Sequence, residues 1–282
     1  MKLFTRRSQD SGRGEMSFIE HLDVLRGHLF KSAFAVAIGA IIVAVYNKFI
    51  FQRILMGPTK PDFPTYRVLC SISRHLGLGN KLCLSPMDVK LQSNTVAGQF
   101  GVYFNSILIG GFIIAFPYVF WQFWKFTKPA LTSKELSNTR GVIFWVSLLF
   151  FTGVAFGYFI ITPYTISFFS HFSMDSSIQN LWTIASYFNL IVPLILGAGL
   201  AFQLPLVIYF LAKVGVVTAK YLRSIRKYAI ITMLVLAGII TPPDMLSQIV
   251  CTVPLMILYE IGVWLCVKVE KQQKQEEAAE WS

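Results

Sequence analysis

Six long apolar segments dominate the chain and restrict the folds that it can adopt. They cover about residues 30–51, 96–120, 142–161, 187–212, 228–240 and 249–267. A bilayer core about 30 Å thick is crossed by roughly 20 apolar helical residues, since a helix satisfies its own backbone polar groups. Hydrophobic residues make up 55% of the chain and charged residues 14%, which excludes a soluble globular protein. The sequence therefore predicts an all-α polytopic membrane protein with six transmembrane helices.

The polar segments divide the chain into three predicted parts. Residues 1–15 are expected to be disordered, residues 16–268 to form the membrane domain, and residues 269–282 to form a charged, soluble tail. Residues 16–29 carry apolar side chains at helical spacing, which predicts an amphipathic helix on the membrane surface before the first span. That stripe consists of Phe18, Ile19, Leu22, Leu25 and Leu29. No cleavable signal peptide is expected, because residues 1–27 lack an apolar core before a small-residue cleavage site.

The fifth apolar segment is too short for an ordinary span. Its 13 residues, 228–240, form a helix of about 20 Å, against about 30 Å of hydrocarbon. Such a helix must thin the bilayer, draw polar residues inward or sit against protein. In the turn that follows, Asp244 is either the N-cap of the last helix or a residue that holds the external rim or contacts a partner.

The basic residues predict the orientation. With six spans both termini lie on one side, and that side collects 18 of the 25 Lys and Arg residues. The other seven lie in or beside the first external loop. The positive-inside rule places both termini in the cytoplasm. The net charge of +11 is typical of orientation and contact with anionic lipid, and no nucleic-acid partner is expected.

The connection after the second span, Trp121 to Glu135, is rich in aromatic residues and carries a single acid among lysines. Its aromatic residues are suited to the headgroup region of a membrane. Two interpretations of Glu135 remain open. It is either a first-turn acid of the third helix, held by the helix dipole or a solvated ion pair, or a receptor for a cationic group.

Four motifs together resemble the TatC family, the multispanning core of the twin-arginine protein translocase. They are SFIEHLDVLR near the start, FWKFTKPALTSKE after the second span, FQLP in the fourth span, and TPPDMLSQ followed by PLMILYEIGV near the end. The resemblance extends over essentially all of residues 16–268. It implies a concave six-helix bundle in the bacterial inner membrane.

The resemblance also implies the function. The family recognises the paired arginines of signal peptides on folded precursor proteins, at the cytoplasmic face. It assembles with TatA- and TatB-type single-span proteins and with further copies of itself, and the proton-motive force drives transport. Neither catalysis nor a cofactor or metal is implied. A secondary transporter of a small molecule is the alternative function, and it would predict symmetric repeats with charged residues near the bilayer midplane.

The family's motifs assign roles to individual residues of this chain. Glu135 matches the signal-binding glutamate. The framework around it is matched by Phe126, Pro129 and Leu131. Arg26 matches the arginine of the first motif, and Pro86 matches a proline of the first external loop. Asp244 matches the external aspartate of the last hairpin.

One position departs from the family pattern. Val24 stands where the family carries a second glutamate in the first motif. Asp23 is adjacent but rotated by about 100° around a helix, whereas Glu20 lies one turn back on the face of position 24. We expect Glu20 and Asp23 jointly to replace the missing acid.

Two polar residues lie within apolar segments, where polar groups are costly and informative. Gln203 matches a position at which the family has glutamate or glutamine, and the resemblance implies a hydrogen bond to the TatA-type partner. The alternative is a hydrogen bond between helices of this chain. For Glu260 a structural role is expected, with the carboxyl group protonated, paired or near the cytoplasmic interface.

The four cysteines do not have metal-ligand spacing. Cys251 and Cys266 lie in the last span and are predicted to be packing residues. Cys70 and Cys83 share the external loop, where an oxidising compartment permits a disulfide. Whether these two cysteines are bonded stays open at this point.

Overall fold

The computed structural model describes residues 18–75, 83, 91–127, 139–175, 177, 180–240 and 245–280. The helices in this part of the chain are α1 (Phe18–Val45), α2 (Asn47–Phe49), α3 (Pro64–His75), α4 (Gly98–Thr127), α5 (Thr139–Phe156), α6 (Thr162–His171), α7 (Ile184–Ala201), α8 (Leu204–Lys213), α9 (Ala219–Ser224), α10 (Arg226–Ile240) and α11 (Met245–Glu280). The strands β1 (Leu91–Gln92) and β2 (Trp182–Thr183) pair in parallel. The prediction of an all-α membrane protein is confirmed.

Within the described residues, five segments are long and apolar enough to cross a membrane. They are Leu22–Val45, Gly98–Thr127, Gly141–His171, Ile184–Lys213 and Gln248–Gln275. They correspond to the first four predicted spans and the sixth. The predicted fifth span is α10, whose 15 residues give a length of about 22 Å. It packs along α11, and Gln248 Nε2 donates to the Leu234 carbonyl at 3.0 Å, so this short helix sits against protein.

The prediction of a separate surface helix before the first span is wrong. α1 is continuous through residues 29 and 30, and Ser32 Oγ donates to the His28 carbonyl at 2.9 Å across that region. Leu25, Leu29 and Phe30 are all exposed. Because the helix surface is apolar on both sides of the expected break and the region has no proline, nothing makes the helix turn there.

α1 and α4 pack closely through glycines. A Cβ atom added at Gly39 would lie 2.5 Å from the Gly111 carbonyl oxygen, and one at Gly111 would lie 2.5 Å from the Ala40 nitrogen. The backbones therefore touch at this crossing, as small residues permit in membrane helix pairs.

The third and fourth spans are each interrupted. A π-helical segment, Gly157–Ile161, joins α5 to α6, so the third span continues to His171, ten residues past its predicted end. Pro163 and Pro205 are the second residues of α6 and α8, so each proline lies directly after an interruption of its span. The sequence pattern located the third span correctly and its end wrongly.

The main core lies between α7, α8, α10 and α11. α11 continues through the predicted tail as far as Glu280. Two contacts bind this extension to the rest of the protein: Ala219 N donates to Glu270 Oε1 at 2.7 Å, and Gln273 Nε2 donates to the Lys213 carbonyl at 3.0 Å. The helix thus crosses residue 268 without a break, while the solubility of the tail stays a prediction.

Residues 50–75 form a cap at the end of the first span. A π-helical segment, Ile50–Leu55, leads through a 3-10 turn, Gly57–Thr59, into α3. Tyr66 Oη donates to the Pro58 carbonyl at 2.8 Å, and burial raises the pKa of Tyr66 to about 12. From the spans, Tyr187 Oη donates to the Leu55 carbonyl at 2.7 Å. Tyr66 thus stabilises the cap itself, and Tyr187 fastens it to the helices beneath it.

Candidate functional site

Several of the predicted site residues are not described by the structure. Pro86, Pro129, Leu131, Glu135 and Asp244 lie outside the described residues, and only the backbone of Glu20 is described. The site can be built from Asp23, Arg26 and Phe126 together with their neighbours. These residues belong to the first turns of α1 and the last turn of α4.

A side-chain hydrogen bond joins the two helices at this end. His28 Nδ1 lies 2.7 Å from Gln122 Oε1, and Gln122 is buried with 3% of its surface exposed. A glutamine carbonyl oxygen can only accept, so Nδ1 of His28 is the donor. The His28 ring also meets the edge of the Phe126 ring at a centroid distance of 6.5 Å. The two sequence segments that carry the predicted binding residues are therefore in contact.

The described acids and bases at the start of α1 face outward. Asp23 and Arg26 are exposed, and the Arg26 guanidinium lies 5.5 Å from the Phe30 ring centroid. Residues 20 to 26 all lie in one helix, so Glu20 is one turn from Val24 and Asp23 is rotated from it, as predicted. The joint role of these two acids stays a prediction.

The aromatic residues at the end of α4 divide into exposed and buried ones. Phe123 is 60% exposed, and Lys125 Nζ lies 3.8 Å from the centroid of the Trp121 ring. Trp124 is only 6% exposed and packs on Phe210, with ring centroids 4.7 Å apart. Trp124 therefore faces the interior of the protein, and the depth of these aromatic residues in the membrane stays a prediction.

Gln203 lies at the break between α7 and α8. Its Nε2 atom donates to the Val146 carbonyl at 3.3 Å, which is a contact between helices of this chain. Its Oε1 atom is buried and has no hydrogen-bond partner among the described residues. One half of the amide is therefore used within the fold, and the other half is a buried acceptor, which costs free energy if it stays unpaired.

Glu260 is paired, one of the three states expected for it. Its carboxylate accepts from the Arg226 guanidinium at 2.7 Å, and both side chains are about half exposed. The pair joins the middle of α11 to the first residue of α10. Glu260 thus has a structural partner within the chain. The two residues are 34 positions apart, and their pairing could not be predicted from the sequence.

Cys70 and Cys83 form a disulfide, one of the two states that the sequence left open. The bond joins α3 to the segment that follows it. Cys251 and Cys266 are buried free thiols, as expected for packing residues.

These features define a multi-pass helical membrane protein with polar contacts at its helix ends and kinks. The family model for the Sec-independent protein translocase protein (TatC) matches residues 20–254. A Sec-independent protein translocase protein TatC from Blattabacterium sp. subsp. Periplaneta americana (strain BPLAN) is 39% identical over 262 residues, covering 93% of this chain and 98% of that protein. Another from Desulforapulum autotrophicum is 35% identical, covering 93% and 89%. A crystal structure of a twin arginine translocase receptor, TatC, superimposes with a TM-score of 0.66 at 30% identity, covering 89% of this chain and 100% of that one.

The chain belongs to the TatC family. It is a component of a Sec-independent protein translocase, a transport family rather than a catalytic one. This membership favours protein transport over the alternative of a small-molecule transporter.

Proposed function

We propose that this chain is the receptor subunit that binds twin-arginine signal peptides of folded proteins at the cytoplasmic face of the bacterial inner membrane. It assembles there with TatA- and TatB-type proteins and with further copies of itself for transport driven by the proton-motive force. The likeness to the crystal structure of a twin arginine translocase receptor supports this proposal, because it covers nearly all of both chains.

The observation that carries the proposal is the hydrogen bond between His28 and Gln122. It holds the start of α1 against the end of α4. The segment with Glu135 follows α4 directly, and Glu20 and Asp23 lie in α1 within two to three turns of His28. Glu20 and Asp23 thus lie on a helix that contacts the end of α4, the element that precedes Glu135 in the sequence. A pair of arginines requires acids from two such parts of the chain.

The chemistry of recognition follows from the guanidinium group. It binds a carboxylate through two parallel hydrogen bonds, and two adjacent arginines need two carboxylates or one with carbonyl acceptors. Such a contact at a membrane interface exceeds the roughly 0–1 kcal/mol of an exposed ion pair, since the effective dielectric constant there is lower than in water. Nearby lysines oppose binding of cations in general, so the placement of the acids decides selectivity.

Two independent observations support the orientation with both termini in the cytoplasm. Most basic residues lie on the side of the termini. The disulfide between Cys70 and Cys83 lies in the cap beyond the first span, and disulfides persist in oxidising compartments such as the bacterial periplasm.

For the partner contact, Gln203 is the proposed residue. Its Oε1 atom is a buried acceptor without a partner among the described residues. Rotation of the amide out of its 3.3 Å bond to the Val146 carbonyl would present it to a donor from the transmembrane helix of a TatA-type protein.

Photocrosslinking tests the receptor function. A photoreactive residue at Phe123, near the end of α4, is expected to label a synthetic twin-arginine signal peptide. The same probe at Phe104, an exposed position on the same helix nearer its other end, is the matched control. A twin-lysine peptide and a Glu135→Gln variant should each reduce labelling at Phe123. Equal labelling by both peptides would contradict the proposal.

The substitute acids need a separate test. A Glu20→Ala/Asp23→Ala double variant is expected to lose export of a twin-arginine reporter. Intact export by this variant would rule out their joint role, without bearing on Glu135.

A further inference from the structure

A groove on the membrane surface of the bundle lies apart from the residues assigned above. Its walls come from the start of α5, from α8 and from the last third of the apolar part of α11, and its volume is about 580 Å³. That volume falls within the roughly 300–1,000 Å³ of small-molecule sites. The lining residues that define its shape and charge are Gly141, Trp145, Tyr209, Ile261, Trp264 and Lys268.

The groove changes from apolar to polar along its length. On α11 the lining residues recur at helical spacing from Ile261 to Gln272, so one face of that helix forms a wall about 16 Å long. Ile261 is at the apolar end, and Lys268 and Gln272 are at the end where the charged part of α11 begins. Lys268 Nζ lies 5.8 Å from the Trp264 ring centroid.

Two exposed tryptophans line the groove. Trp145 on α5 is 60% exposed and Trp264 on α11 is 62% exposed. Tryptophan is enriched where hydrocarbon meets headgroups, because its ring is apolar and its N–H is polar. The polar end of the groove thus has the composition expected at headgroup depth.

The charge of the lining residues determines whether the groove attracts an anionic or a cationic ligand. Lys268 is the charged residue among the described residues that line the groove. The carboxylate of Glu270, two positions further, accepts a hydrogen bond from Ala219 N, and that of Glu260 pairs with Arg226. The ammonium group of Lys268 is therefore the group in the groove that attracts an anion.

We propose that this groove binds one anionic phospholipid, with the phosphate beside Lys268 and an acyl chain along Ile261; its place in the inner leaflet rests on the orientation proposed above. The charge at the end of the wall favours a lipid over a partner helix. From Ile261 to Lys268 the apolar part of the wall is about 10 Å long, and it ends at an ammonium group, as an acyl chain ends at a phosphate. Basic pockets between membrane helices on the cytoplasmic side are known sites for anionic headgroups.

Substitution of Gly141 offers a test of lipid binding in the groove. A Cβ atom added there meets no described atom within 4 Å, so a larger side chain enters the groove without displacing the protein. Gly141→Trp fills the groove, Lys268→Gln removes its charge, and Lys271→Gln is the control, a lysine of the same helix that does not line it.

The experiment is native mass spectrometry of the full chain released from nanodiscs with equal parts of phosphatidylglycerol and phosphatidylethanolamine. The wild type and Lys271→Gln should retain one phosphatidylglycerol per chain. Lys268→Gln should retain it about three- to tenfold less, the effect of one lysine on anionic lipid. Gly141→Trp should lose it with an unchanged thermal unfolding midpoint.

Equal retention of both lipids, or retention unaffected by Lys268→Gln, would overturn the proposal. Capture of a transmembrane polypeptide in place of lipid, by a photoreactive residue introduced at Trp145, would also overturn it. No signal peptide is present in this measurement, so its outcome is independent of the receptor function proposed above.

Discussion

His28 Nδ1 lies 2.7 Å from Gln122 Oε1, and this bond connects residues 94 positions apart in the sequence. It satisfies a buried glutamine at the point where α1 meets the end of α4. Because an unsatisfied buried amide is costly, the bond stabilises the contact between the two segments of the candidate site.

His28→Ala is expected to lower the free energy of unfolding by about 1–3 kcal/mol, since Gln122 Oε1 loses its donor. It should also weaken binding of a twin-arginine peptide. Ser32→Ala is the matched control, because that hydroxyl bonds only within its own helix. Thermal unfolding in detergent measures the difference, and equal effects of the two variants would exclude a role for the interhelical bond.

Gly111→Ala is expected to destabilise the protein by about 1–3 kcal/mol, because the added methyl group would meet the backbone of Ala40 at 2.5 Å. Gly101→Ala on the same helix should stabilise by up to about 1 kcal/mol, since its added Cβ meets no atom within 4 Å and alanine is the better helix former. Opposite shifts in the unfolding midpoint would support the close crossing of α1 and α4. Equal shifts would contradict it.

A Cys70→Ala/Cys83→Ala variant is expected to lose about 3 kcal/mol of stability in the cap, the entropic effect of opening a loop of this size. Hydrogen exchange of the α3 amides measures the loss. Reduction of the wild type should have the same effect, and reduction of the double variant should have none. A response of the double variant to reductant would mean that another group is being reduced.

Gln203→Leu should change the stability of the isolated chain by less than about 1 kcal/mol, because it removes one long hydrogen bond together with an unpaired acceptor. According to the proposed function, Gln203→Leu should nevertheless reduce co-purification of a TatA-type partner, and Gln203→Glu should retain that co-purification. Leu200→Ala, an exposed apolar position on α7, is the control. Unchanged co-purification with Gln203→Leu would assign this residue to the fold alone.

Arg226→Gln and Glu260→Gln are expected to couple by about 0.5–1 kcal/mol in a double-mutant cycle, since both side chains are about half exposed. The exchanged pair, Arg226→Glu with Glu260→Arg, should recover part of the loss. Additive single effects, measured as unfolding midpoints, would show that the ion pair contributes nothing to the packing of α10 on α11.

The length of each apolar segment was enough to predict the spans, because a membrane helix satisfies its backbone hydrogen bonds locally. The helix ends were predicted less well. At residues 29–30 a change in amphipathic pattern suggested a break that α1 does not have, and at Ile161 the third span continues into α6. The first error arose because nothing in the exposed region around residues 29–30 breaks the helix. The second arose because a π-helical segment, which leaves no periodic signal in the sequence, carries the third span on into α6.

The pairing of β1 with β2 and the tyrosines that fasten the cap were not predicted either. Leu91 pairs with Trp182 across 91 positions, and two-residue strands leave no periodic signal. Polar residues in apolar surroundings, such as His28, Gln122 and Glu260, were the available signal for the interhelical contacts. That signal identifies a residue that needs a partner without identifying the partner.

The sequence alone determined that this chain is a helical membrane protein with the motifs of a protein translocase subunit, because the lengths of apolar segments and local residue motifs can be read directly from it. Which polar groups meet depends on the packing of the helices. His28 bonds Gln122, Glu260 pairs with Arg226, and Gln203 keeps one buried acceptor unpaired among the described residues. Those outcomes depend on which helix faces pack together, and the free energy of that packing is spread over residues far apart in the sequence.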